Sequence, residues 1–149
     1  MKATMILCDH AQAAEGKLYI NGGGLAVNTH GAPISIAILI GVPWNQANRQ
    51  HRWTLSLVTA DGQPVAVPTP VGEQIVVVES LFEVGRPAGI PAGTELPLPV
   101  AINFSPLPLA PSSQFEWRLE IDGESADHWR LPFYTTAAAG APLAGDSGS

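Results

Sequence analysis

The 149-residue chain has little of what disulfide-stapled and membrane-spanning proteins depend on. Its single cysteine, Cys8, cannot form a disulfide within the chain, which favours a reducing compartment. No apolar run approaches the ~20 residues that a membrane-spanning helix needs. The run at Ala3–Leu7 is too short for a signal peptide, because Asp9 and His10 interrupt it. We therefore expect a soluble, cytoplasmic protein.

Positive charge is also scarce. Seven Lys and Arg residues stand against thirteen Asp and Glu residues, for a formal net charge of −6. The basic residues are scattered along the chain, whereas the neutralisation of phosphates needs clustered cations. We therefore expect no nucleic-acid partner. Only 13% of residues are charged while 46% are hydrophobic, so the chain can form a core and still expose apolar surface.

The sequence is rich in segments in which apolar residues alternate with polar or small ones. In the segment 114–121, large apolar residues alternate with polar ones. The apolar positions are Phe115, Trp117, Leu119 and Ile121. Because successive strand residues point to opposite faces, this segment is predicted to be a half-buried strand that needs a second apolar layer. In the segment 33–42, isoleucines alternate with small residues, which predicts a strand in the middle of a sheet.

Strand patterns separated by turn signals recur along the chain, with almost no helical pattern. They predict an all-β fold, an antiparallel Greek-key β-sandwich, immunoglobulin-like or related, of about eight strands. A barrel is the alternative, since periodicity does not separate the two. Residues 9–16 are predicted to be a connection, and residues 73–85 a long strand that bends near Glu79 and Ser80.

The domain boundary is predicted from composition. Residues 1–134 form a single β-sandwich domain in this prediction. Residues 135–149 are rich in Ala, Gly and Ser and have no hydrophobic period, so they are expected to be a flexible tail.

Residues that carry chemistry are few and unpaired in sequence. Cys8, Asp9 and His10 could begin a zinc site, but His30, His51 and His128 show no ligand spacing. The preferred interpretation is a small core cysteine followed by polar turn residues. We therefore predict no catalytic residues, no metal and no cofactor.

The segment 44–53 is the most informative loop. It combines two tryptophans with arginine and histidine, and aromatic and Arg side chains dominate binding hot spots. The candidate binding residues are Trp44, Asn45, Arg49, His51 and Arg52. The alternative is that Trp44 only closes one end of the sandwich.

Two functions remain open. The preferred one is a non-enzymatic interaction or structural module that binds another protein, or itself as a homo-oligomer, through a sheet face or this loop. The alternative is a small hydrolase or ligand-binding protein with a site at one end of the sandwich. Its candidate polar residues are Asp9, His10, Arg49, His51, Asp127 and His128.

Several short runs also carry a resemblance. They are Asp9–Gln12, Gly16–Ile20, Gly22–Gly24, Val42–Asn45, Ala47–Asn48, His51–Arg52, Phe82–Pro87 and Phe115–Arg118. With these runs the chain resembles a family of small uncharacterised bacterial all-β proteins, common in high-GC genomes and of unknown function. The resemblance covers most of the chain except the tail, and it implies no activity, cofactor or catalytic residue.

Overall fold

The computed structural model describes residues 1–138, and this part of the chain is all-β apart from one 3-10 turn at Trp44–Gln46. The strands are β1 (Lys2–Cys8), β2 (His10–Ala14), β3 (Lys17–Asn21), β4 (Val27–Asn28), β5 (Ile34–Val42), β6 (Gln50–Thr59), β7 (Ala66–Thr69), β8 (Gly72–Ile75), β9 (Val77–Glu83), β10 (Leu96–Phe104), β11 (Gln114–Ile121) and β12 (Arg130–Thr135). Residues 1–138 thus contain twelve strands, where the sequence predicts about eight.

The strands form two larger sheets and two hairpins. The three-stranded sheet has the order β1-β5-β10, and the five-stranded sheet has the order β4-β12-β11-β6-β9. The hairpins β2-β3 and β7-β8 account for the other four strands. None of these sheets closes on itself, so the barrel alternative is excluded for the described residues. The Greek-key order stays a prediction.

The core lies between the two larger sheets. On one side of the core, the alternating isoleucines of β5 pack inward from the three-stranded sheet. β5 is the central strand of that sheet, as its pattern predicts. On the other side, β11 lies between β12 and β6, and Trp117 at its centre is fully buried. The rings of Phe104 on β10 and Trp117 on β11 stack across the two layers with their centroids 5.1 Å apart. The second apolar layer that β11 requires is therefore the three-stranded sheet.

The β2-β3 hairpin covers part of the outer face of the three-stranded sheet. Ala11 on β2 packs with Cys8 and Ala37 in a small second cluster, and the side chain of Asn103 on β10 is bonded to the backbone N–H and C=O of Ala11. The prediction of a connection at residues 9–16 was therefore wrong. The small side chains of this segment hide its strand pattern, since a buried alanine contributes little to hydrophobic periodicity.

Two further boundaries differ from the prediction. The long segment at 73–85 is interrupted at Val76, between β8 and β9, and not at Glu79 and Ser80, which lie within β9. The tail was expected from residue 135, but Thr135 ends β12, is buried, and donates from Oγ1 to the carbonyl of Ala110 at 2.7 Å. The predicted tail from 139 to 149 lies outside the described residues.

Candidate functional site

The predicted binding loop is partly built into the protein core. Residues 44–46 form a 3-10 turn, and the half-buried Trp44 packs against the main core. The guanidinium of Arg86 lies over its ring, 4.8 Å from the centroid, and donates to its carbonyl oxygen. This contact supports the alternative that Trp44 closes one end of the fold. The other charged or polar candidates, Asn45, Arg49 and Arg52, are exposed.

His51 is a structural link between β6 and the β11-β12 turn. Only 7% of the residue is exposed. Its Nδ1 lies 2.7 Å from Asp122 Oδ2, and its Nε2 lies 2.8 Å from the carbonyl oxygen of Gln46. Both ring nitrogens therefore face acceptors within the protein itself. A general base needs a ring nitrogen directed at its substrate, so this geometry does not suit one.

Asp122 holds this link with a lowered pKa. Burial raises the pKa of the Asp122 carboxyl, but hydrogen bonds from the backbone N–H of Arg52 and from His51 lower it further than burial raises it. The charged carboxylate is therefore the form that stabilises the fold. A cavity of about 210 Å3 next to the pair is also lined by Arg49, Glu124 and the buried Trp129.

We expect this link to make stability depend on acid pH. A carboxyl whose pKa is lowered by folding stabilises the folded state fully at pH values above its unfolded-state pKa of about 3.9. This stabilisation is lost as the pH falls through the lower folded-state pKa. The wild type should therefore lose its stability advantage over Asp122→Asn as the pH falls from about 5 to about 2. Urea denaturation at a series of pH values measures this difference. A difference that stays constant with pH would contradict the assignment.

Of the residues of the alternative function, Arg49 and His51 line one cavity together, but the histidines are not brought together. The cavity that contains His51 contains neither His10 nor His128. His10 begins β2 in the hairpin over the three-stranded sheet, whereas His128 is exposed beside Trp129. Within residues 1–138, no group of three or more His, Cys, Asp or Glu side chains is placed to hold a metal ion.

Cys8 does not suit nucleophilic chemistry either. Only 3% of the residue is exposed. Burial raises the pKa of the Cys8 thiol, and the neighbouring Asp9 carboxylate raises it further. Because the thiolate is the reactive form, Cys8 is a core residue, as the sequence suggests.

The outer face of the five-stranded sheet carries a pair of like charges. Arg118 on β11 lies directly opposite Arg130 on β12, and we call this pair the arginine row. Ser56 on β6 and Val77 on β9 lie in line with the pair. Like charges directly opposite each other in a sheet destabilise the pairing. Of these two arginines, only Arg118 has a carboxylate partner within residues 1–138: its Nε donates to Glu116 Oε2 at 2.6 Å, whereas Arg130 forms no ion pair there.

A second cavity lies beside these arginines. It has a volume of about 510 Å3, within the range typical of ligand sites. Its polar lining consists of Thr59, Gln114, Glu116, Arg118, Arg130 and Tyr134. The side chains of Arg118 and Glu116 are 36% and 22% exposed, so their ion pair is partly shielded from water. The cavity therefore combines two guanidinium groups and one carboxylate with neutral hydrogen-bonding groups.

Sequence reasoning assigned no function to this cluster. Alternation places Arg118 on the polar side of β11 and Arg130 on the polar side of β12, but it does not give their register. The tip of the hairpin is closed by a bridge between Ile121 and Glu124. Continuing that register would place Asp127 opposite Arg118. Three additional residues before β12 place Arg130 there instead.

Comparison with known proteins adds a family without an activity. The model of a family of unknown function, DUF6941, matches residues 3–134. No curated protein matches the chain. In residues 1–138 no helix is long and apolar enough to cross a membrane.

Proposed function

The chain belongs to DUF6941, a family of unknown function, and we propose from its structure that it is a non-enzymatic module that binds another protein or a second copy of itself. The binding surface in this proposal is the outer face of the five-stranded sheet. We define this outer face by the outward side chains of β4, β12, β11, β6 and β9.

The observation that supports this surface is the difference between the two sheets. The β2-β3 hairpin covers part of the outer face of the three-stranded sheet through Ala11, Leu18 and Ile20. Within residues 1–138, the turn at Gly62 borders the Arg118 guanidinium, but the arginine row of the five-stranded sheet stays open to the 510 Å3 cavity. A sheet face that keeps charged groups beside a cavity is suited to recognition.

Apolar side chains flank the arginine row. Tyr134 and Val27 are paired between β12 and β4 and are 42% and 48% exposed. Val77 and Leu81 lie outward on the edge strand β9 and are 40% and 50% exposed. Interfaces commonly combine aromatic and Arg residues at their centre, and this composition matches them.

An enzyme at the end of the fold has less support. The hydrolase alternative requires an available base, and both nitrogens of His51 face acceptors that hold the loop in place. A ligand-binding role retains one favourable observation, the size of the cavity at Arg118 and Arg130. The structure therefore favours recognition over hydrolysis.

The proposal is tested by the Tyr134→Glu variant. We expect light scattering to show that the purified wild type is a discrete oligomer, or mass spectrometry to show a protein that co-purifies with it from its native host in stoichiometric amount. Tyr134→Glu should weaken that association by about tenfold or more, because a charge replaces an exposed aromatic on the proposed contact surface. A wild-type monomer with no companion would overturn the proposal.

Tyr19→Glu is the matched control. Tyr19 is 48% exposed, close to the value for Tyr134, but it lies on β3, in the hairpin over the other sheet. It should leave the association unchanged. Arg49→Glu tests the predicted loop, and if only this variant reduces association, the binding surface is the loop and not the sheet face.

A further inference from the structure

We infer that Arg118 and Arg130 together bind a carboxylate group from an acidic segment of the partner. This inference rests on the proposed function and names the chemistry that the outer face recognises. Three observations support it: the register of the two arginines, the charge of their surroundings and the cavity beside them.

The register creates an electrostatic cost that a ligand removes. Directly opposite residues of an antiparallel pair have Cβ atoms about 4.5–5.5 Å apart. Arg118 and Arg130 occupy such a pair. The neighbouring outward position along β11 holds Glu120, which forms no ion pair with either arginine in the described residues. A single anion between the guanidinium groups would interact favourably with both.

The charge balance selects a carboxylate over a phosphate. Glu116 already neutralises one positive charge, because it accepts from Arg118 Nε at 2.6 Å. Among the residues that line this cavity, the two arginines and this glutamate leave one net positive charge, which matches a monoanion; Glu120 borders both arginines outside that lining. A phosphate that carries close to two negative charges would be repelled by Glu116 more strongly than a carboxylate would.

The donors that remain suit planar recognition. Arg118 uses its Nε for Glu116, which leaves its terminal nitrogens, and Arg130 has its full set of donors available within residues 1–138. Guanidinium groups bind carboxylates with two parallel hydrogen bonds. Beside them, Gln114 and Tyr134 line the cavity with neutral polar groups. A short acidic side chain with its backbone fits this combination.

The test is an NMR titration of the 15N-labelled full chain. The probe is an acetylated and amidated pentapeptide, Gly-Gly-Asp-Gly-Gly, and its control is the same peptide with Asn in place of Asp. We expect saturable shifts of the arginine Nε–Hε signals and of amides in β11 and β12 with the Asp peptide alone. Replacing Arg130 by Gln should weaken binding by about tenfold or more, since a charge-assisted contact is lost.

The matched variant is Lys17→Gln. Lys17 is an exposed cation on β3, in the hairpin over the other sheet, and it does not line the cavity, so its loss should leave the affinity unchanged. An equal loss in Lys17→Gln would show unspecific attraction and overturn the inference. Binding of sodium succinate without binding of the peptide would assign the site to a small molecule, and tighter binding of inorganic phosphate would exclude a carboxylate site; either result overturns it.

The two proposals fail separately. If the Asp peptide does not bind but Tyr134→Glu still disrupts the association, the partner is real and the carboxylate assignment is wrong. If the peptide binds with the expected dependence on Arg130 but no oligomer or companion exists, the site is real and the protein-binding role is wrong.

Discussion

Replacing Trp117 by Ala is expected to lower the free energy of unfolding by about 3–5 kcal/mol, the usual cost of truncating a buried tryptophan. Trp117 is fully buried at the centre of β11, and its ring packs against Phe104 of the facing sheet and Phe133 of the next strand. Its removal leaves a cavity where the two sheets meet. Urea or thermal denaturation followed by circular dichroism measures the loss.

Two variants show whether the loss comes from this packing. In Trp117→Phe a smaller aromatic ring replaces the indole, and no hydrogen bond is lost because the indole N–H of Trp117 has no partner in the structure. Its cost should be well below that of Trp117→Ala. Trp44→Ala also removes an indole, but from a half-buried site whose main further contact is Arg86, so it should cost less. If Trp117→Ala and Trp44→Ala cost the same, Trp117 is not the centre of the core.

Replacing Asp122 by Ala is expected to lower the free energy of unfolding by about 2 kcal/mol. The carboxylate accepts from His51 at 2.7 Å and from the backbone N–H of Arg52 at 3.0 Å. Its side chain is 45% exposed, so water replaces part of what is lost and the cost stays moderate. The backbone adds a further penalty, because Asp122 has φ of 53°, which alanine adopts less readily than Asp or Asn.

Asp122→Asn is the control that separates these causes. Asn tolerates the positive φ and its amide oxygen can accept from Arg52, so only the charge and one strong hydrogen bond are lost. At neutral pH the Asn variant should therefore lie between the wild type and Asp122→Ala in chemical denaturation. An Asn variant as unstable as the Ala variant would mean that the charge, and not the backbone, accounts for the whole effect.

The Arg118–Arg130 pair shows that alternation along a strand does not predict the register between strands. Both residues could be assigned to the polar sides of neighbouring strands, because alternation is a local property of the chain. Their position opposite each other depends on the residues between Glu124 and β12, which shift the register by three positions from the tip of the hairpin. Turn residues such as Asp122 and Gly123 predict a turn, but they do not predict a bulge behind it.

The predicted binding loop shows that residue composition alone does not identify a binding site. Its composition drew attention to His51 and Trp44, and the residue types are those found in binding sites. In the structure His51 joins Gln46 to Asp122, which lies 71 residues beyond His51 in the chain. The sequence does not distinguish a histidine that is buried and hydrogen-bonded from one that is exposed and available to a ligand. Only the long-range contact distinguishes the two.

The sequence by itself determined the all-β class, the bounds of β11 and the central place of β5, because these follow from the period of two along each strand. Tertiary structure alone decided the β2 hairpin, the register of β11 with β12, and the partners of His51. The last two depend on atoms that are distant in the chain, and so does the attachment of the hairpin to the sheet. Ala11 is a strand residue because β2 pairs with β3, a pairing that its small side chain hides from a local pattern, and Asn103 of β10 bonds to its backbone across the sequence.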